Sequence, residues 1–178
     1  AEWNGATALQ WAAGGGHISA IQALQLHGGT ELGRADKSLC APVFYAAGSG
    51  HLEMVRFLHH SGCSLEGSLE GSAEHQSRPA VVNAAACGHL NVVQFLRDSG
   101  CSMETFDCDG ITPLASAAAN GHLEIVRFLH DSGCSMETPD LDGWTAAILA
   151  AQSGHADVVK FLHESACNLA TANRSEER

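Results

Sequence analysis

The chain is 178 residues long, 45% hydrophobic, and carries a net charge of −11 from 9 Lys and Arg against 20 Asp and Glu. That apolar content excludes a disordered polymer, and no apolar run approaches the ~20 residues needed to span a bilayer. The acidity excludes nucleic acid, whose duplex presents about one negative charge per 1.7 Å, and an anionic membrane surface for the same reason.

Gly-His pairs begin at Gly16, Gly50, Gly88, Gly121 and Gly154, in steps of 34, 38, 33 and 33 residues. A fixed period of this size marks a stack of units, none of which buries its apolar face alone. In chain order the units are residues 1–33, 34–66, 74–106, 107–139 and 140–173, with an inserted loop at 67–73 and a polar tail at 174–178. The stretch Glu66-Gly67-Ser68-Leu69-Glu70-Gly71-Ser72-Ala73-Glu74 accounts for the 38-residue step and reads as a mobile, solvent-exposed loop. The start, Ala-Glu-Trp-Asn-Gly, lacks an initiator Met, a basic region and an apolar core, so the expectation is a segment of a longer chain with no signal peptide.

The fourth unit shows the local logic. Asp107-Cys108-Asp109-Gly110 predicts a turn, with Asp side chains bonding to nearby backbone. Thr112-Pro113 then starts a helix, Thr as N-cap and Pro in the first turn. Leu114 to Ala119 form a short helix of small residues that Asn120-Gly121 ends. A second helix runs from Leu123, its apolar face made by Leu123, Ile125, Val126, Phe128 and Leu129, while Glu124, Arg127 and Asp131 stay polar. Ser132-Gly133 stops it, and Cys134-Ser135-Met136-Glu137-Thr138 returns extended to the next turn.

On these residues the chain resembles the ankyrin repeat family over residues 2–173. The family motif is carried by Gly5, Thr7, Leu9, Ala12-Ala13 and Gly16-His17; by Asp36, Pro42, Ala46-Ala47 and Gly50-His51; by Asp107, Gly110, Thr112-Pro113-Leu114, Ala117-Ala118 and Gly121-His122; and by Asp140, Gly143, Thr145, Ala150-Ala151 and Gly154-His155. The resemblance implies an all-α solenoid of five stacked helix-turn-helix units with loop or β-turn tips. The third unit departs most, with Ser77 for the turn Gly and Pro79-Ala80 for Thr-Pro. The His of the family's T-P-L-H motif is replaced throughout, by Gln10, Phe44, Val82, Ala115 and Ile148. In the family that imidazole ties neighbouring units, so apolar packing is expected to do so here.

Cys63, Cys101, Cys134 and Cys167 occupy one repeat-equivalent position. Neighbouring copies then sit roughly 8–10 Å apart, beyond the ~7 Å a disulfide tolerates. They are read as small buried thiols, compatible with a reducing, intracellular and cytoplasmic setting. The Gly-His imidazoles are read as structural, bonding to nearby loop backbone. His59 with Cys63, His130 with Cys134 and His163 with Cys167 stand at i, i+4, but one such pair falls short of a tetrahedral zinc set, and Arg97 breaks the row.

No nucleophile elbow, phosphate-binding Gly loop or H-E-x-x-H helix is present, so neither catalysis nor a cofactor or metal is expected. The function expected is a non-enzymatic scaffold that presents a concave surface of turn tips and short helices to another protein. The alternatives are a targeting or regulatory arm of an attached enzyme or channel domain, or a spacer in a longer array. Positions that the motif leaves open supply the candidate contacts: Trp3, Asn4 and Ala6; Lys37, Ser38 and Cys40; His75, Gln76 and Arg78; Cys108, Asp109 and Ile111; Leu141, Asp142 and Trp144. Trp and Arg are enriched in energetic hot spots, which singles out Trp3, Arg78 and Trp144, with Ile111 beside them. The segment itself is expected to be monomeric.

Overall fold

The computed structural model describes residues 8–28, 32, 40–66 and 79–176. Those residues form helices in pairs: α1 (Ala8–Gly14) with α2 (Ile18–Gly28), α3 (Pro42–Gly48) with α4 (Leu52–His60), and α5 (Ala80–Ala86) with α6 (Leu90–Asp98). Then follow α7 (Pro113–Ala119) with α8 (Leu123–Asp131), and α9 (Ala146–Gln152) with α10 (Ala156–Glu176). No strand occurs among the described residues, so the all-α expectation holds.

The short helices pack in a row, α1 on α3, α3 on α5, α5 on α7 and α7 on α9. Their alanines permit this: Ala46-Ala47, Ala84-Ala85 and Ala117-Ala118 are fully buried and let backbones approach. Each longer helix lies on its own short helix and on the next long one. Ile125, Val126 and Leu129 of α8 are buried while Glu124, Arg127 and Asp131 are exposed, as the spacing predicts. Burying each of Leu58, Leu96, Leu129 and Leu162 stabilises the stack by about 1.5–3 kcal/mol.

Local signals set the helix ends. Thr112 Oγ1 accepts from the backbone N–H of Ala115 at 3.2 Å, with Pro113 following, so the cap forms as expected. At the far end of α8, Gly133 takes a φ of 89° and the Cys134 N–H bonds back to the Leu129 carbonyl at 3.0 Å. Repeat five carries Ala166 where repeats two to four carry Gly62, Gly100 and Gly133. Without a residue suited to the left-handed turn, α10 does not reverse there and stays helical to Glu176.

Neighbouring units are tied by polar bonds as well as by packing, which corrects the expectation of apolar ties alone. His89 Nε2 donates to the Gly48 carbonyl at 3.0 Å, and His122 Nε2 to the Ala86 carbonyl at 2.9 Å. The Gly-His imidazoles are thus structural, but their partners are helix-end carbonyls of the preceding unit rather than nearby loop backbone. Asn83 Nδ2 donates to the Phe44 carbonyl at 3.0 Å. Glu66 accepts from the Ser102 N–H at 2.9 Å and Glu104 from the Ser135 N–H at 2.8 Å.

A third tie runs along the long helices. The guanidinium of Arg56 stands 4.8 Å over the Phe95 ring, Arg97 4.4 Å over Phe128, and Arg127 4.5 Å over Phe161. His59 and His130 add edge contacts to Phe95 and Phe161 at 6.1 and 5.5 Å. Arg97, which interrupts the histidine row in sequence, performs the same service for Phe128. Each such cation–π pair contributes about 0.5–1 kcal/mol at an exposed site.

Candidate binding surface

The tips of repeats four and five are built by the same device. Asp107 Oδ1 accepts from the N–H groups of Asp109 and Ile111 at 3.0 and 2.9 Å. Asp140 Oδ1 does so from Asp142 and Trp144 at 2.9 and 2.8 Å. Backbone bonds close both turns, Gly110 N–H to the Asp107 carbonyl and Gly143 N–H to the Asp140 carbonyl, each at 3.0 Å. The two tips are joined to each other by the Leu141 N–H and the Asp109 carbonyl at 3.1 Å. These bonds hold the tip backbone in place before any partner arrives, which lowers the ordering cost of association.

Of the candidate contacts, Asp109, Leu141, Asp142 and Trp144 are exposed on this edge together with Cys108. Leu141 is 78% exposed and Trp144 36%. Ile111 is half-buried and packs on the core, and Cys40 is buried. Trp3, Asn4, Ala6, Lys37, Ser38, His75, Gln76 and Arg78 lie outside the described residues.

Apolar exposure extends beyond the open motif positions. Trp11 is 63% exposed on α1, and Phe106, next to the Asp107 turn, and Ile148 on α9 are also exposed. The signal for Trp11 was its place in the motif. It aligns with Tyr45, Asn83, Ser116 and Leu149, none of which is exposed.

The cysteines behave as structural thiols. Cys63 and Cys134 are buried and Cys101 is half-buried, and none of the three is in a disulfide. Burial, reinforced by the neighbouring Glu66 carboxylate, pushes the Cys101 thiol up to about 11. Burial with Glu104 does the same for Cys134, to about 11, and burial alone raises Cys63. The side chain of Cys167 lies outside the described residues.

Among the described residues no three His, Cys, Asp or Glu side chains gather around one point suited to a metal ion, and no helix is long and apolar enough to cross a membrane. A cleft lined by Leu65, Pro79, Val81 and Thr105 encloses about 190 Å³, below the ~300–1,000 Å³ of small-molecule sites.

Comparison with known families gives two matches: ankyrin repeats (3 copies) over residues 1–67 and 75–173, and ankyrin repeats (many copies) over residues 43–97. A search of curated proteins returned no match. Ankyrin repeats generally mediate protein–protein interaction and are typically non-enzymatic.

Proposed function

The chain belongs to the ankyrin repeat family, and from that premise we propose that it is a non-enzymatic scaffold that holds a protein partner along its turn tips and short helices, as a segment of a larger intracellular protein. One observation carries the reading: exposed Asp109, Leu141, Asp142 and Trp144 project from turns fixed by side-chain and cross-tip hydrogen bonds. Large apolar side chains on a preorganised support are the composition of binding hot spots.

The chemistry of the edge narrows the partner. Asp109 and Asp142 flank Leu141 and Trp144, and the whole chain carries −11. A protein segment that pairs an apolar side chain with flanking Lys or Arg fits this edge, and its association slows as salt screens the attraction. Thiols outside disulfides, including the exposed Cys87 and Cys108, suit the reducing interior of a cell.

The test is affinity capture with the intact chain, followed by binding measurements on the captured protein with Trp144→Ala and Leu141→Ala. The expected outcome is at least tenfold weaker binding with a melting temperature close to the parent's. A large loss of stability with unchanged binding would place Trp144 in the core instead.

A further inference from the structure

We propose that copies of this chain associate head to tail, the open face of repeat five in one copy seating on the open face of repeat one in the next. In a stack every unit has two faces, one turned to the unit before it and one to the unit after it. The internal junctions pair these faces, and the two ends leave one of each uncovered.

The uncovered face of repeat five is apolar. Ala13, Ala47, Ala85 and Ala118 are fully buried, yet Ala151 at the same motif position is exposed. Val82 and Ala115 are 6% and 3% exposed, whereas Ile148 at their position is 47%. Val55, Val93 and Val126 are fully buried, and Val159 is only half-buried. What these positions lack is the following unit.

Repeat one shows the complementary deficit. Pro42, Ala80, Pro113 and Ala146 are buried, and Ala8 at that position is exposed. Met54, Val92, Ile125 and Val158 are buried, and Ala20 is exposed. Trp11, the most apolar member of its motif position, stands 63% exposed.

The polar stitch is vacant on the same two faces. At each internal junction an imidazole lies over the glycine of the preceding Gly-His pair: His51 over Gly16, His89 over Gly50, His122 over Gly88 and His155 over Gly121. Nothing lies within 4 Å of the corresponding point on Gly154, while His17 of repeat one is exposed. The face that lacks an imidazole and the face that offers one belong to the same chain. A second copy therefore continues the interface already formed at every internal junction, in register. Such a contact is heterologous, so it propagates instead of closing as a dimer.

Each copy carries −11, so the copies repel, and an apolar junction between them strengthens as salt screens that charge. This distinguishes it from binding at the acidic tips, which weakens with salt.

Sedimentation velocity of the 178-residue chain is expected to show a mass above 18.6 kDa that rises with concentration and with salt. Trp11→Glu and Ile148→Glu should each sediment as monomers, because each retains one intact face with nothing to receive it. Mixed in equal amounts they should form a particle of twice 18.6 kDa and stop there, since one supplies the repeat-five face and the other the repeat-one face. Both positions are exposed, and Ala151→Glu serves as a second repeat-five variant should Ile148→Glu not fold. A mass of 18.6 kDa at all concentrations, the monomer expected from the sequence, overturns the proposal. So does association that survives in either variant, or a mixture that fails to pair.

Discussion

The ring of His122 fills the space over Gly88, so that a methyl group on Gly88 would meet the imidazole at 2.7 Å, while His122 Nε2 donates to the Ala86 carbonyl at 2.9 Å. The glycine of one repeat and the histidine of the next thus share one site. Gly88 also has a φ of 82°, so the position excludes a side chain on two counts.

Gly88→Ala is expected to cost about 1–2 kcal/mol for the left-handed backbone and about 1 kcal/mol more for the displaced imidazole bond. Gly133→Ala is the control, with a φ of 89° but nothing within 4 Å, and should cost the backbone strain alone. Urea unfolding of the two variants separates the terms. Equal midpoints would remove the imidazole from the account.

Thiol labelling should divide the cysteines by environment. Exposed Cys87 and Cys108 are expected to react with iodoacetamide first, as reagent reaches them. Cys101 and Cys134, held near 11, expose little thiolate at neutral pH and should lag by at least tenfold, resolved by mass spectrometry of the native protein. Glu104→Gln removes the carboxylate beside Cys134 and should speed the labelling of Cys134 relative to Cys101.

The same shifts make stability fall in alkali. The ordinary thiol value is 9.0, and the folded thiols of Cys101 and Cys134 sit near 11. Below 9.0 both states hold the proton and the contribution is complete; between 9.0 and about 11 the unfolded chain ionises first, so folding stability declines. Thermal melts across that window should show a smaller decline in Cys101→Ala and Cys134→Ala than in the parent. An identical decline would assign the effect to other groups.

Ala166→Gly should restore the stop that repeats two to four possess. The backbone amides after position 166, helical to Glu176, are then expected to exchange hydrogen faster, with a loss of helical ellipticity. The substitution itself costs about 1 kcal/mol of helix propensity. Unchanged exchange would show that the continuation of α10 does not depend on Ala166.

The candidate surface was legible only in part. The tips of repeats four and five followed from Asp107, Gly110, Asp140 and Gly143, because an Asp turn is decided within a few residues. Asp109, Leu141, Asp142 and Trp144 are exposed there. Ile111 fills the position equivalent to Trp144 yet lies half-buried on the core, which no motif position reveals. Trp11 was passed over because its equivalents look like ordinary short-helix residues, and its exposure arises from the absence of a preceding unit.

The amino-acid order alone determined the period, the helix pair in each unit and the points where helices begin and end. Those depend on contacts within a turn or so of helix: Thr112 capping its own first turn, Gly133 reversing α8, Ile125 and Val126 marking one face. Tertiary structure decided which unit each imidazole reaches, which guanidinium covers which ring, and where burial ends. Ala118 and Ala151 make the last point. Both follow an alanine in a short helix, yet one is fully buried and the other exposed. Burial is a property of what stands opposite, and only the stacked arrangement specifies that.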